Sequence, residues 1–564
     1  MPSPVGYGAK EAAVRGVLLV NPNLMRPPVT PVGLDHIGQH LREGGFGVEV
    51  LDLAFAPSPE AAIDAALRHE WLLVAVTVRN VDDSFAASRD FCLARTKKLI
   101  DRMRAATGAP VVLGGVGFSI FARAALAFCE APYAIRGEGE EPLLRLAQCL
   151  AEGKAPDGVP GLLALRDGRI VLDNPPLRHD LAAMPPWRRD VVDNPRYLAE
   201  GGQVGFETKR GCPRRCAYCA DPVAKGARLV ARTPAQVADE LEALLRQGVD
   251  VFHTCDAEFN VPRAHALAVC EELARRRLNG SPRFLVEAES PLDGHRCGRG
   301  VSAPRGARRP RPRRPGTLAS HLGDRIRWYA YAVPDAFDGE LAAAMARAGC
   351  AGVDFTADHT DERMLATLGR SHTEADLRRA AAACHAHRIP FMFDLLLGGP
   401  GESRDSLRRC IEALKQMNPS RVGTSLGVRL YPGTPLVERL KAQGPLDANP
   451  SIAPFVVPPS GGLSDEELLL RPAYYIESSL GPDVHDYVRA LIGGDKRFLF
   501  PSGGEGAANY NYNDNSALAE AIRLGARGAF WDILRRTAES AVGQLGEGIP
   551  ALTHCLNPEG KEIQ

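Results

Sequence analysis

The first 150 residues alternate short, unbroken apolar runs with amphipathic stretches. "GVLLVNPN" (16–23) is an apolar run closed by turn residues, as in a parallel strand buried on both faces. "GLDHIGQHLREGGF" (33–46) reads as a helix ended by Gly44-Gly45. "GVEVLDL" (47–53), a helix near 59–69 and "WLLVAVTV" (71–78) follow. A helix near 84–107 leads to "APVVLGGVG" (109–117), and "YAIRGEGEEPLLRLAQCL" (133–150) gives strand, glycine turn and helix. This rhythm predicts an α/β fold for residues 1–150, doubly wound and Rossmann-like, with about five parallel strands. Ligands of such sheets bind beyond the carboxyl ends of the strands. The turns there are "NPNLMRPPVTPVG", "VRNVDDS", "GGVGFS" and "RGEGEE".

Residues 151–202 carry many prolines and little periodicity, so they read as a linker. From 203 to 440 the strand–helix rhythm resumes in "QVGFETK", "DVFHTCDA", "IRWYAYAV", "GCAGVDFTA", "IPFMFDLLLG" and "RVGTSLGVRLYPG". Six repeats predict a partial (β/α)6 barrel whose site lies at the strand C-termini. Residues 441–564 read as a mainly helical C-terminal domain on the substrate side. There Tyr474, Tyr475, Tyr510 and Tyr512 could serve recognition or simply pack. One segment breaks the rhythm: 293–325 is dense in Arg, Pro and Gly with almost no apolar content. It reads as a disordered insert; an RNA-binding arm lacks the aromatic residues that base stacking uses, and a sequence artefact would look the same.

Composition narrows the function classes. The 564 residues hold 68 basic and 68 acidic side chains, so no net field draws nucleic acid or an anionic membrane. No apolar run reaches the roughly 18 residues that span a bilayer, and the first residues do not resemble a signal peptide. A cytoplasmic protein with reduced thiols is expected, and most of the 13 cysteines then count as small buried hydrophobes.

The exception is "KRGCPRRCAYCADP" (209–222), with Cys212, Cys216 and Cys219 close together after the first barrel strand. A structural zinc site normally takes four ligands, and no second pair follows at ribbon spacing. A disulfide suits neither the compartment nor the odd number. An iron–sulfur cluster held by three thiolates would leave one iron open to a substrate or cofactor.

The spacing Cys-x3-Cys-x2-Cys, with aromatic Tyr218 before the third cysteine, resembles the signature of the radical S-adenosylmethionine (SAM) family. The resemblance covers about residues 203–440 and implies a [4Fe-4S] cluster whose open iron is chelated by SAM. "HTCDAEFN" (253–260) stands where that family meets the SAM amino group, making Asp256 and Glu258 candidates; Glu258 could instead ligate the open iron. "VDFTADHTDERMLATLGR" (353–370) resembles the fourth-strand segment, with Asp358 and His359 where many members have Glu-Ser. "LLLGGPGES" (395–403), through Gly398 and Gly399, resembles the glycine motif that approaches SAM. "VRLYPGTPL" (428–436), through Arg429 and Tyr431, resembles the segment bordering the adenine.

A doubly wound domain ahead of such a barrel resembles the cobalamin-dependent class of the family. On "PPVTPVG", "VVLGGVGFS" and "IRGEGEEPL" the resemblance implies that Thr30, Gly33, Gly114, Gly115 and Gly117 lie near cobalamin. A literal Asp-x-His-x-x-Gly match at 293–298 falls in the insert, not after a strand, and is rejected as a cobalt-ligand motif. Arg79 and Asn80 follow the third strand, where the turn should reach the lower corrin face. An arginine there would repel ligation and favour Co(I), unless it pairs with Asp82 or Asp83. Some members that methylate aromatic carbon, such as the indole of tryptophan, are similar in this.

What the resemblance implies is a methyltransferase. A methyl group would pass from SAM, via methylcobalamin, to an unactivated or aromatic carbon of a small-molecule or peptide substrate, with Glu258 and Arg79 the candidates for chemistry. Rearrangement, cyclisation or oxidation on the same cofactors is the alternative. An external electron donor of the flavodoxin or ferredoxin type and a monomeric state are expected; a membrane or nucleic-acid partner is not.

Overall fold

In the computed structural model, which describes residues 16–278, 326–452, 464–501, 511–512 and 515–546, two seven-stranded sheets dominate. The first begins with β1 (Gly16–Asn21), β2 (Gly47–Asp52), β3 (Leu73–Thr77), β4 (Val111–Gly114) and β5 (Tyr133–Ile135). They pair in parallel in the order β2-β1-β3-β4-β5. Alternate residues of β1 feed two separate cores, Leu18 and Val20 on one face, Val17 and Leu19 on the other. That double burial is why the strand reads as one apolar run.

The expected linker over 151–202 needs correction. Strands β6 (Leu162–Arg166) and β7 (Arg169–Asp173) extend the first sheet past β5 as an antiparallel hairpin. Asp167 and Gly168 both take positive φ, at 48° and 71°, in the two-residue turn that Asp-Gly favours. The rest of the segment is tied down as well. Arg189, with φ of 56° and fully buried, donates to Asp35 of the first domain at 2.7 Å and to Glu240 of the second.

The second sheet starts at β8 (Val204–Phe206), after which a short ribbon pairs β9 (Lys209–Arg210) with β10 (Val230–Ala231). β11 (Val251–Thr254), β12 (Arg327–Ala332), β13 (Cys350–Asp358), β14 (Phe391–Leu397) and β15 (Arg421–Leu426) then pair in parallel from β8 outward. Amphipathic helices at Pro234–Arg246, Glu374–His387 and Arg404–Met417 cover the outside, each started by a Thr or Ser capping box.

The C-terminal region is more than a helical cover. β17 (Tyr474–Tyr475) pairs with β16 (Val428–Arg429), and β18 (Phe498–Leu499) adds a seventh parallel strand beside β15. Ala529 and Trp531 plug the barrel interior, packing on Val251, Tyr329, Met392 and Leu499. The insert 293–325, its Asp-x-His match and Tyr510 lie outside the described residues.

Candidate active site

The two sheets present their carboxyl ends to one cavity of about 960 Å³. Cys212, Cys216 and Cys219 line it. Backbone bonds hold their loop: Cys212 N–H donates to Gly226 O at 3.0 Å, and Ala217 N–H to Leu368 O at 2.7 Å. Burial pushes all three thiols up from their ordinary value. Among the described residues, the one group of three metal-binding side chains whose ligand atoms all lie within 4.8 Å of one another is Glu138, Glu140 and His179. Three thiols on one loop at the cavity wall suit a cluster with one open iron better than a structural zinc, which takes four ligands. The Glu138–Glu140–His179 group is already occupied, since Arg210 donates to both carboxylates at 3.2 and 2.7 Å.

Beside the cysteines stands an arginine that sequence reasoning missed. Arg370 donates from Nη1 to Cys216 Sγ at 3.0 Å, pairs from Nε with Asp358 Oδ2 at 3.2 Å, and reaches Thr356 from Nη2. Its signal was its place at the end of the "TLGR" segment. Asp358, at φ of 57°, also accepts from Tyr218 Oη at 2.6 Å. So Asp358 and Tyr218 brace the cluster loop through Arg370. His359 points elsewhere, its Nδ1 accepting from Asp361 N–H at 2.8 Å.

The two acidic candidates differ. Asp256 is saturated: it accepts from Thr208 N–H and Oγ1 and from Lys209 Nζ at 2.8, 2.5 and 2.7 Å. Glu258 accepts from Thr356 Oγ1 at 2.8 Å through Oε1 only, and its buried Oε2 has no partner. Burial raises Glu258 to about 7, against the pull of Arg370. A buried carboxylate oxygen left bare next to the cysteines suits a donor from a bound ligand, such as the SAM amino group.

The opposite wall comes from the first domain. Thr30, Gly33, Gly114, Gly115, Arg79 and Asn80 line the cavity. Thr30 Oγ1 is buried without a partner, and a side chain on Gly33 would meet nothing within 4 Å, so both leave room for a ligand. Gly117 acts indirectly: a Cβ there would lie 2.5 Å from Arg79 O, and one on Gly115, at φ of 101°, 2.7 Å from Val78 O. These glycines let the β4 turn press the Arg79 loop into place. Arg79 donates from Nη1 to Asn80 Oδ1 at 2.8 Å and Met25 Sδ at 3.2 Å, and no described carboxylate pairs with it. Asp82 pairs instead with Arg429, and Asp83 accepts from Ser88, Phe85 N–H and Asn511. Burial lowers the Arg79 guanidinium from its ordinary value, and an arginine side chain keeps its charge in proteins. His36, three residues after Gly33, is buried against Trp187 with ring centroids 4.1 Å apart.

Not every expected residue reaches the cavity. Gly117, Asp358, Gly398, Gly399, Arg429 and Tyr431 stay out of its wall. Arg429 and Tyr431 clasp the first domain instead, through Asp82 at 2.7 Å and Ser84 Oγ at 3.1 Å. The sequence reading also missed His253, Tyr331, Asp354 and Trp531, which line the barrel floor. Strict alternation in β11 and β12 points His253 and Tyr331 inward, a signal present in "DVFHT" and "IRWYAYA".

Comparison with known proteins agrees with this geometry. Residues 206–414 match the Radical SAM superfamily model, and residues 25–147 match the B12 binding domain model. Tryptophan 2-C-methyltransferase of Streptomyces laurentii is 30% identical, over 94% of this chain and 99% of its own length. The structure of the radical SAM methyltransferase TsrM from Kitasatospora setae, with tryptophan substrate and a SAM analogue bound, aligns with a TM-score of 0.78 at 29% identity. That alignment covers 94% of this chain and 99% of the other. OxsB, a cobalamin-dependent SAM radical enzyme, shares the fold at 16% identity and a TM-score of 0.59, covering 85% of this chain and 66% of OxsB.

Proposed function

Because this chain belongs to the cobalamin-dependent radical SAM methyltransferases, we propose that it methylates an aromatic carbon of tryptophan or a close indole relative. The observation that carries this reading is its full-length likeness to a tryptophan 2-C-methyltransferase. The cavity suits it, since the cysteine loop, the Arg79 turn and an aromatic floor meet in one space. The same likeness favours methyl transfer over rearrangement on the same cofactors.

Cys212, Cys216 and Cys219 would hold a [4Fe-4S] cluster with one open iron for SAM, and cobalamin between the walls supplies a nucleophilic cobalt centre for methyl transfer. The chain's own residues then have distinct tasks. Glu258 offers Oε2 to the SAM amino group, while Tyr218, Asp358 and Arg370 fix the cysteine loop behind it. Arg79, which lines the corrin side of the cavity and cannot ligate a metal, would offer bound cobalamin a positive charge that favours its reduced, nucleophilic state. Thr30, Gly33, Gly114 and Asn80 shape the corrin wall, with Gly115 and Gly117 seating the Arg79 turn. Trp531, Tyr331 and His253 form the substrate side of the space and exclude water from it.

We place the enzyme in the cytoplasm as a monomer served by a flavodoxin- or ferredoxin-type donor. The described cysteines are all free thiols, as a reducing compartment requires, and no described helix is long and apolar enough to cross a membrane. The test is an anaerobic assay of cluster- and cobalamin-loaded protein with methyl-labelled SAM and tryptophan. Labelled methyltryptophan is expected. Transfer of label to cobalamin with no indole methylated would reject the substrate class, and no transfer to cobalamin would reject the reaction.

A further inference from the structure

Two carboxyl groups on the barrel floor take no part in holding the cluster or the corrin. Asp354 on β13 and Asp394 on β14 stand on neighbouring strands, and their carboxyls hydrogen-bond to each other. Asp354 is only 3% exposed yet lines the cavity. Its Oδ1 is buried with no hydrogen-bond partner, and among the described residues no cation forms an ion pair with it. A bare, buried carboxylate oxygen is costly to keep, so a native fold that retains one at a cavity wall invites a donor from outside the chain.

The surroundings define that donor. Tyr331 lies opposite Asp354 in the β12–β13 register, and its ring centroid is 4.9 Å from that of His253. His253 Nδ1 donates to the Thr254 carbonyl at 2.8 Å; burial lowers the imidazole's pKa, so it adds no positive charge. Trp531 lines the same space from the C-terminal region. The floor is thus an aromatic slot with a carboxyl pair at one side. Burial and the Asp394 carboxyl hold Asp354 well above the usual carboxylate range. The two carboxyls therefore titrate as a coupled pair.

We propose that Asp354, backed by Asp394, binds the α-ammonium group of the substrate and selects indoles that carry an amine. This rests on the tryptophan-class reading above and extends it to a specificity determinant. The ammonium has three N–H donors, enough to satisfy the buried Asp354 Oδ1 at the cavity wall. The indole ring lies against the aromatic slot, and its reacting carbon faces the corrin side.

The test compares three indoles on the loaded enzyme. Tryptophan carries both ammonium and carboxylate, tryptamine only the ammonium, and indole-3-propionate only the carboxylate. Binding is read by calorimetry and turnover by label transfer, for wild type, Asp354→Asn and Asp394→Asn. Iron content and melting temperature report whether each variant is folded. Asp354→Asn should weaken tryptophan and tryptamine by about 30-fold or more in Kd and KM, with a small change in kcat. Indole-3-propionate should be unaffected by it. Asp394→Asn, which leaves the Asp354 carboxylate in place, should keep the preference for amines. Equal weakening of all three indoles by Asp354→Asn, or none, overturns the proposal while leaving the substrate class standing. A wild type that binds none of the three overturns both together.

Discussion

Arg79 is a guanidinium set into a cavity wall, and it donates to an amide oxygen and a thioether sulfur. Most buried charges among the described residues are paired, including Arg429 with Asp82 and Lys209 with Asp256. Arg79 therefore costs stability in the cofactor-free protein, as functional charges often do. Arg79→Leu should raise the melting temperature of that protein by roughly 1–3 °C. The loaded variant should lose at least about tenfold in turnover, or about 1.4 kcal/mol of barrier stabilisation. A lower melting temperature with unchanged turnover would make the arginine structural. Glu258 and Asp256 make the complementary point. They are two residues apart in one motif, and only geometry shows that Asp256 is spent on Thr208 and Lys209 while Glu258 keeps an oxygen free.

At the level of elements, the segment joining the domains behaves as structure. Arg189 reaches Asp35, Glu240, Asn194 and the Gly205 carbonyl, and Glu240 is shared with Arg232. Removing one member strands the others as buried charges. Arg189→Met should cost about 3–5 kcal/mol and lower the denaturation midpoint accordingly, whereas a surface arginine such as Arg275 should tolerate the change. This network shows where sequence reading stops. Apolar runs and cysteine spacing made both sheets and the cluster loop legible, because each is a local pattern. The β6–β7 hairpin was legible too, from Asp167-Gly168 between alternating residues, but proline density on either side masked it. Arg189, Arg370 and Asp354 were not legible, since their partners lie on other elements: Glu240 51 residues from Arg189, and Cys216 154 residues from Arg370. The Arg429 segment reads in sequence as part of the sixth barrel strand, yet Arg429 lies on the separate β16 and pairs with Asp82, because a motif does not say which domain will dock on it.

For the molecule as a whole, charge holds the two domains over their shared cavity. Arg210, one residue from the cysteine loop, joins Glu207 to Glu138 and Glu140 of the first domain. Burial disfavours the charged form of Glu140, yet Arg210, His179 and His36 outweigh it and hold it well below its ordinary value of 4.5. Burial likewise opposes the charged form of Glu240, and Arg232, His36 and Arg189 outweigh it and lower that carboxyl as well. A carboxylate depressed in the folded state contributes stability in full above the unfolded value, and that contribution is lost as pH falls through the folded one. The melting temperature should therefore be level from about pH 7 down to about 5 and fall steeply below about 4. Glu140→Gln should lower the plateau and flatten that fall; an unchanged profile would show that the seam carries no acid-sensitive stability.

The loop carrying Cys212, Cys216 and Cys219 is tied to its surroundings by main-chain bonds to Gly226 and Leu368. Gly369 closes that contact, since a Cβ there would lie 2.6 Å from Arg215 O. Anchored at both ends to the barrel, the three thiols reach the cluster as one preset unit, so little chain entropy is left to lose when iron and sulfide are supplied.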